Sequence, residues 1–180
     1  MHDEAGRLVE GVYRIDAPGQ VTRIIASELE RPNGILVAPG DKHLFVADNN
    51  NNTKGGARKL WRFDLRQDGS IKARSRKLMF DWKDARGPDG FKMDAEGRLY
   101  VAAGLNIANP PHETADNLRA GIYILSARGQ LLEFVPITND EVTNCAFGGP
   151  DLRTLFVTAG GHLWSIAVIT PGPSPVPNSH

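Results

Sequence analysis

Three side chains with hard oxygen atoms recur at a nearly constant spacing along the chain. Asn33 lies in a PNG segment, Asp89 lies in a PDG segment 56 residues later, and Asn144 follows after another 55 residues. Ca²⁺ binds oxygen atoms of this kind and takes roughly six to eight of them. The pattern predicts a divalent-metal site, for Ca²⁺ in the first place and for Zn²⁺, Mn²⁺ or Mg²⁺ as alternatives. Asn and Asp also favour the turns that precede strands, so a purely structural role is the competing interpretation.

Two further residues, His112 and Glu113, lie in the longest polar loop of the sequence, Ala103–Gly121. Long loops on a rigid β scaffold often carry function, which makes both residues candidates for contact with a substrate. The alternative is that the loop is simply solvated. The single cysteine, Cys145, excludes an intramolecular disulfide and is expected to be a packed thiol rather than a nucleophile.

Strands must position these residues, because short β-rich runs separated by turns occur along the whole chain. No segment has the 3.6-residue period of a long amphipathic helix, so the expected fold class is all-β. The runs predict thirteen strands, in groups of two, four, four and three. An aliphatic–aromatic pair marks the third strand of each unit: Val12-Tyr13, Leu60-Trp61, Ile122-Tyr123 and Leu163-Trp164.

Four-stranded units with a periodic aromatic residue and Gly-rich turns are typical of β-propeller blades. Thirteen strands would form about three blades, which is too few for a closed ring, because the smallest propellers have about four. We therefore expect either a chain whose N-terminal blades are absent or copies that self-associate to complete a ring. The expected domain is a partial propeller over 11–170, between a poorly ordered segment, 1–10, and a disordered Pro-rich tail, 171–180.

Hairpin geometry predicts which loops share an end of the sheets. The second strand of each unit returns to the end where the first strand starts, so the connection to the third strand lies at that end. These connections are the long ones, Asp48–Lys59 and Ala103–Gly121. We expect them to gather around Asn33, Asp89 and Asn144, which would ring a central channel if the first strands are innermost.

Composition restricts the partners that the chain is expected to have. Of 180 residues, 41% are hydrophobic and 23% charged, as in soluble globular proteins. The 21 Lys and Arg residues balance 21 Asp and Glu residues, which argues against a nucleic acid or an anionic membrane as partner. No apolar run approaches the roughly 20 residues that span a bilayer, and the first residues lack the apolar core of a signal peptide. We expect a soluble protein, with the cytoplasm favoured.

The motifs PNGI…LFVAD, GPDG…DAEGRLYVA and TNCAFGG…LFVTAG, in this order and spacing, resemble those of the SMP-30/gluconolactonase/LRE family of six-bladed propellers. The resemblance covers about Gly11–Val168. It implies a divalent metal held by a glutamate, an asparagine and an aspartate, and the last two correspond to Asn33 and Asp89. The family's glutamate belongs to an N-terminal blade that this sequence does not contain, and neither Glu4 nor Glu10 has a matching context.

The chemistry implied by this resemblance is hydrolysis of a small-molecule lactone. The metal would polarise the lactone carbonyl, Asp89 would deprotonate water as general base, and Asn33 would be a neutral ligand. The resemblance assigns no established role to Asn144. Sugar lactones, other lactones and organophosphate esters stay open as substrates. The competing interpretations are a non-catalytic propeller segment that lacks the glutamate ligand and a strictosidine-synthase-like propeller.

Overall fold

The chain folds into β-strands and the turns that join them. The computed structural model describes residues 9–174, and this part contains no helix, hence none long and apolar enough to cross a membrane. Thirteen strands follow one another along the sequence. They are β1 (Val12–Ala17), β2 (Gln20–Ile25), β3 (Pro32–Val37), β4 (His43–Asn49), β5 (Arg58–Asp64), β6 (Lys77–Asp81), β7 (Phe91–Met93), β8 (Leu99–Ala103), β9 (Gly121–Leu125), β10 (Leu131–Pro136), β11 (Val142–Gly148), β12 (Thr154–Ala159) and β13 (His162–Ala167).

The strands form four antiparallel sheets in which neighbours along the sequence are also neighbours in space. The first sheet contains β1 and β2, the second β3 to β6, the third β7 to β10 and the fourth β11 to β13. Each sheet is a meander, because a short turn is enough to join two antiparallel strands. The predicted all-β class, the thirteen strands and their grouping into two, four, four and three are confirmed.

Burial follows the two-residue period of a strand. In β8, the side chains of Leu99 and Val101 pack in the core shared with the second sheet, whereas Tyr100 and Ala102 pack in the core shared with the fourth. Every residue of β8 is buried. The third sheet is therefore covered on both faces, which explains why this strand is a continuous apolar run in the sequence.

Three apolar clusters connect the four sheets in series. Aromatic rings fill the middle cluster, where Trp82 meets Phe80 edge to face with ring centroids 4.7 Å apart and Tyr123 at 5.5 Å. The clusters include Val12, Ile25, Val46 and Phe63 between the first and second sheets; Phe45, Leu60, Trp82, Phe91 and Tyr123 between the second and third; and Tyr100, Ile122, Val142, Leu155 and Val157 between the third and fourth. Each sheet thus depends on its neighbour for burial.

The repeat extends to individual hydrogen bonds. The hydroxyl of Tyr13 in β1 donates to the carbonyl of Val9 at 2.8 Å, and the hydroxyl of Tyr123 in β9 donates to the carbonyl of Arg119 at 2.7 Å. Both bonds span four residues. β1 and β2 therefore correspond to β9 and β10, the last two strands of a four-stranded sheet.

The C-terminal residues cross the end of the sheets where the β7–β8 and β11–β12 turns lie. The carbonyl of Pro171 accepts a hydrogen bond from the Ala95 amide at 3.0 Å, and the Gly172 amide donates to the Leu152 carbonyl at 2.9 Å. The folded part thus includes the first residues of the predicted tail, 171–180. The remainder of that tail, 175–180, and residues 1–8 of the predicted poorly ordered segment, 1–10, lie outside the described residues.

Substitution of Leu60 tests the core between the second and third sheets. It is fully buried in β5, which is paired on both edges. Leu60→Ala is expected to lower the free energy of unfolding by about 2–5 kcal/mol, because transfer energy is lost and a cavity remains. The matched control Ile107→Ala removes a side chain that is 76% exposed, and should change this free energy by less than about 0.5 kcal/mol. Urea denaturation measures both, and equal effects would contradict the core assignment.

Cys145 is a packed thiol, as predicted. Its side chain is buried, and its Sγ donates to the Tyr100 carbonyl at 3.3 Å. Burial raises the pKa of the thiol to about 12. Because the thiolate is the reactive form, a thiol-specific reagent at about pH 8 should label the native protein far more slowly than the urea-unfolded protein. Equal labelling rates in the two states would contradict this environment.

Candidate metal site

Asn33 and Asp89 lie at the starts of neighbouring sheets, and the structure brings their two segments into contact. Asn33 is the second residue of β3, and Asp89 lies two residues before β7. The Asn33 side chain opposes the rise in the pKa of the Asp89 carboxyl group that burial causes. The two backbones approach so closely that a Cβ atom at Gly34 would overlap the Asp89 carbonyl oxygen. The glycine of the PNG segment is therefore required for this contact.

The strand register defines which residues are equivalent among the three first strands. Each pairs with the valine of a matching motif in the second strand, LFVAD, LYVAA or LFVTA: Ile35 with Val46, Phe91 with Val101 and Cys145 with Val157. Two residues earlier lie Asn33, Asp89 and Thr143. The predicted equivalence of Asn144 is therefore wrong by one residue, because the third motif has asparagine where the first two have the glycine that marks the register.

Asn144 nevertheless lies at the same edge of the structure. Its exposed side chain accepts a hydrogen bond from the Cys145 amide at 2.9 Å. The Gly90 amide donates to the Thr143 carbonyl at 2.8 Å, and a Cβ atom at Gly90 would overlap the Asn144 side chain. Asn144 is thus a neighbour of the PDG segment, in contact with its glycine.

The Asp89 carboxyl group is half-buried among charged groups. Burial raises its pKa above the ordinary value, because the charged form loses hydration. The positive charge of Arg86 and the hydrogen bond from Asn33 oppose this rise in the pKa, whereas the negative charge of Glu141 adds to it. A cation beside this carboxylate would therefore stabilise its ionised form.

The two long connections meet beside these residues, as predicted. The Arg58 side chain, which follows the β4–β5 loop, donates to the carbonyl of Asn50 in its own loop and to the carbonyl of His112 in the β8–β9 loop, the latter at 3.1 Å. The Thr114 amide donates to the Asp84 carbonyl at 2.8 Å. The β8–β9 loop is therefore bonded both to the β4–β5 loop and to the segment that leads to Asp89.

Arg86, Glu113 and Glu141 form a group of ion pairs, which we call the rim cluster. Arg86 Nη1 lies 2.9 Å from Glu141 Oε1 and 3.6 Å from Glu113 Oε2. The Glu113 side chain is completely buried and also accepts a hydrogen bond from the Asn109 side chain at 3.1 Å. A buried carboxylate of this kind persists only with such partners, since removing one leaves an uncompensated charge.

The structure assigns different surroundings to the two loop residues that the sequence singled out. Glu113 faces Arg86 inside the protein, so the solvated-loop interpretation is wrong for this residue. His112 is half-buried, and its carbonyl binds Arg58. Sequence reasoning missed Arg86 and Glu141. The position of Arg86 three residues before Asp89 was the available signal, whereas nothing local indicates Glu141, which is 55 residues away from Arg86.

Asn33 and Asp89 carry the types of oxygen atom that a hard divalent cation binds. The Asp89 carboxylate is partly desolvated, and Ca²⁺ in proteins binds carboxylate and amide oxygens. Within residues 9–174, no group of three or more His, Cys, Asp or Glu side chains is placed to hold a metal ion. Further ligands would be water, substrate oxygens or groups outside the described residues.

Solved structures share this fold. A gluconolactonase from Xanthomonas campestris is 26% identical, with a TM-score of 0.67, and the alignment covers 91% of this chain and 45% of that one. A regucalcin from Agrobacterium tumefaciens, described as a calcium-binding protein, is 20% identical, with a TM-score of 0.66 and coverage of 91% and 54%. The arrangement of the sheets is therefore one that known proteins of this kind also have.

Sequence comparisons point to the same group of proteins. A gluconolactonase from Zymomonas mobilis is 27% identical over 168 residues, which are 90% of this chain and 41% of the relative. The chain spans about half the length of the curated relatives it matches. The family profile described as SMP-30/Gluconolactonase/LRE-like region matches residues 1–161. With its strand repeat, its PNG and PDG segments and this match, the chain belongs to the SMP-30/gluconolactonase/LRE-like family.

Proposed function

We propose that the chain is part of a metal-dependent hydrolase that opens sugar lactones or related lactones. The observation that carries this proposal is the close approach of the PNG and PDG segments at Gly34, which brings together an amide and a partly desolvated carboxylate at the edge where the long loops meet. Relatives named as gluconolactonases support the lactone as substrate class. A relative described as calcium-binding supports Ca²⁺ as the metal.

Each side chain would have a separate task in this reaction. A bound divalent cation would supply a Lewis acid that polarises the lactone carbonyl. Asp89 would accept the proton of the attacking water as general base. Asn33 would favour the ionised form of Asp89, whose pKa it lowers, and leave its own oxygen available as a neutral ligand. Asn144, at the same edge, would lie close enough to meet the substrate.

We also propose that further strands cover the exposed face of the second sheet, as blades of a larger propeller. Ile35 and Val37 are 52% and 49% exposed over a groove of about 620 Å³. The equivalent residues of the third sheet, Phe91 and Met93, are 1% and 8% exposed, because the second sheet covers them. The first sheet has two strands where the second has four, so a pair of strands is the occupant that this groove fits.

Lactone hydrolysis with added Ca²⁺, Mn²⁺ or Zn²⁺ tests the catalytic proposal. We expect the protein to open five- and six-membered lactones, to lose this activity with a chelator and to regain it with metal. Asp89→Asn should lower kcat by about 100-fold or more, the scale of a lost general base. Proton release followed with an indicator measures the rate.

The matched control is Asp41→Asn. Asp41 is exposed in the β3–β4 turn, at the opposite end of the strands, and has a positive φ of 54° that asparagine also tolerates. This variant should retain full activity. Hydrolysis that is unaffected by chelation, or by Asp89→Asn, would contradict the proposed chemistry. Hydrolysis of organophosphate esters in preference to lactones would assign the same site to a different substrate class.

The second candidate function is a non-catalytic propeller segment. It is favoured by the absence, within residues 9–174, of any group of three or more His, Cys, Asp or Glu side chains placed to hold a metal ion. Mass in solution, measured by light scattering, separates the ways in which a site could be completed. We expect a dimer if a second copy covers the groove over Ile35 and Val37. A monomer without activity would favour the non-catalytic segment or strands supplied by a longer chain.

A further inference from the structure

Arg86 is a buried cation that is shared by carboxylates from two other segments. Its residue is 7% exposed, and its Nη1 lies 2.9 Å from Glu141 Oε1 and 3.6 Å from Glu113 Oε2. The Gly104 amide donates to the Arg86 carbonyl at 3.0 Å, which fixes the backbone at the end of β8. The Asp89 amide donates to the Ala102 carbonyl of the same strand at 2.9 Å. The backbones of Arg86 and Asp89 are therefore both hydrogen-bonded at the end of β8, to residues two positions apart along the chain.

Several charged groups surround Arg86. Glu113 is the completely buried carboxylate of the rim cluster, and it offsets the charge of Arg86 and, together with Glu30 and Asp84, that of Arg58. Glu141 supplies further negative charge, but its side chain is 50% exposed, so water screens it more. The Arg86 charge also acts on the next carboxylate along the chain, Asp89, whose pKa it lowers.

We propose that Arg86 is a positioning residue of the Asn33–Asp89 site and that its fixed charge sets how tightly the site holds a divalent cation. This inference rests on the proposed cation site. A cation that enters beside Asp89 meets a positive charge that cannot leave, because Arg86 is buried and paired with Glu113. Glu141 moderates this repulsion by its contact with Arg86. The arrangement favours a site whose cation is exchangeable rather than permanently held.

The consequence is that removing Arg86 should strengthen cation binding, whereas loss of a merely structural residue would weaken it. Arg86→Met alone would leave Glu113 buried without its partner. The informative variant is therefore the double substitution Arg86→Met with Glu113→Gln, which removes one charge of each sign from the interior. Its matched control is Glu113→Gln alone, in which Arg86 keeps its charge and loses a counterion.

Calorimetric titration of the purified chain with Ca²⁺ alone provides the measurement. We expect the double variant to lower the Kd for Ca²⁺ about tenfold, the scale on which one neighbouring charge changes the ionisation of a carboxylate. Glu113→Gln alone and Glu141→Gln should each raise this Kd about threefold. Arg86→Lys keeps the charge and should bind within about twofold of the wild type. Circular dichroism melting curves establish that each variant is folded.

The outcomes separate this inference from the proposed function. If the wild type binds Ca²⁺ and the double variant binds it more tightly, both stand. If only the double variant binds, Arg86 has the inferred role and the wild-type cation site is contradicted. If the wild type binds and the folded double variant binds equally or more weakly, the Arg86 inference fails alone. If neither binds, both fail. Should the double variant not fold, an unchanged Kd in Glu141→Gln overturns the inference.

Discussion

Mutual burial of successive sheets is the constraint on which the rest of the structure depends. A sheet with apolar residues on both faces, such as the one that contains β8, is stable only between two neighbours. The close approach of the sheets then determines where the site residues lie. A side chain at position 34 would overlap the Asp89 backbone, and this same approach places the PNG and PDG segments side by side. The candidate site is thus a product of sheet packing.

Much of the fold could be predicted from the sequence because its signals are local. Short β-rich runs, Gly-containing turns and the recurring aliphatic–aromatic pairs indicated every strand and the grouping of strands into sheets. The equivalence of Asn33 and Asp89 within the repeat also followed, since both belong to motifs with the same glycine. The predicted alignment of the repeats was wrong at Asn144. This glycine is missing there, and the asparagine suggested an alignment that is shifted by one residue from the observed strand register.

The remaining features depend on contacts between distant parts of the chain. Glu113 is an ordinary polar loop residue in the sequence, and only Arg86 and Asn109 in the folded protein explain its burial. Glu141 has its partner 55 residues away. Charge neutrality of the whole chain conceals this local organisation, because Arg86 is buried beside Glu113 in the rim cluster, and Arg58, Asp48 and Asp94 are also buried. Balanced composition therefore says little about the field at a site.

The hydrogen bonds of Pro171 and Gly172 have a practical consequence. They hold the chain against the β7–β8 and β11–β12 turns, which lie at the far end of the strands from Asn33 and Asp89. A tether attached after Ser174 would therefore leave from the side of the molecule away from the candidate site. Immobilisation on a resin or an electrode through a tether at this point would orient the long loops toward the solution, with the site accessible to small molecules.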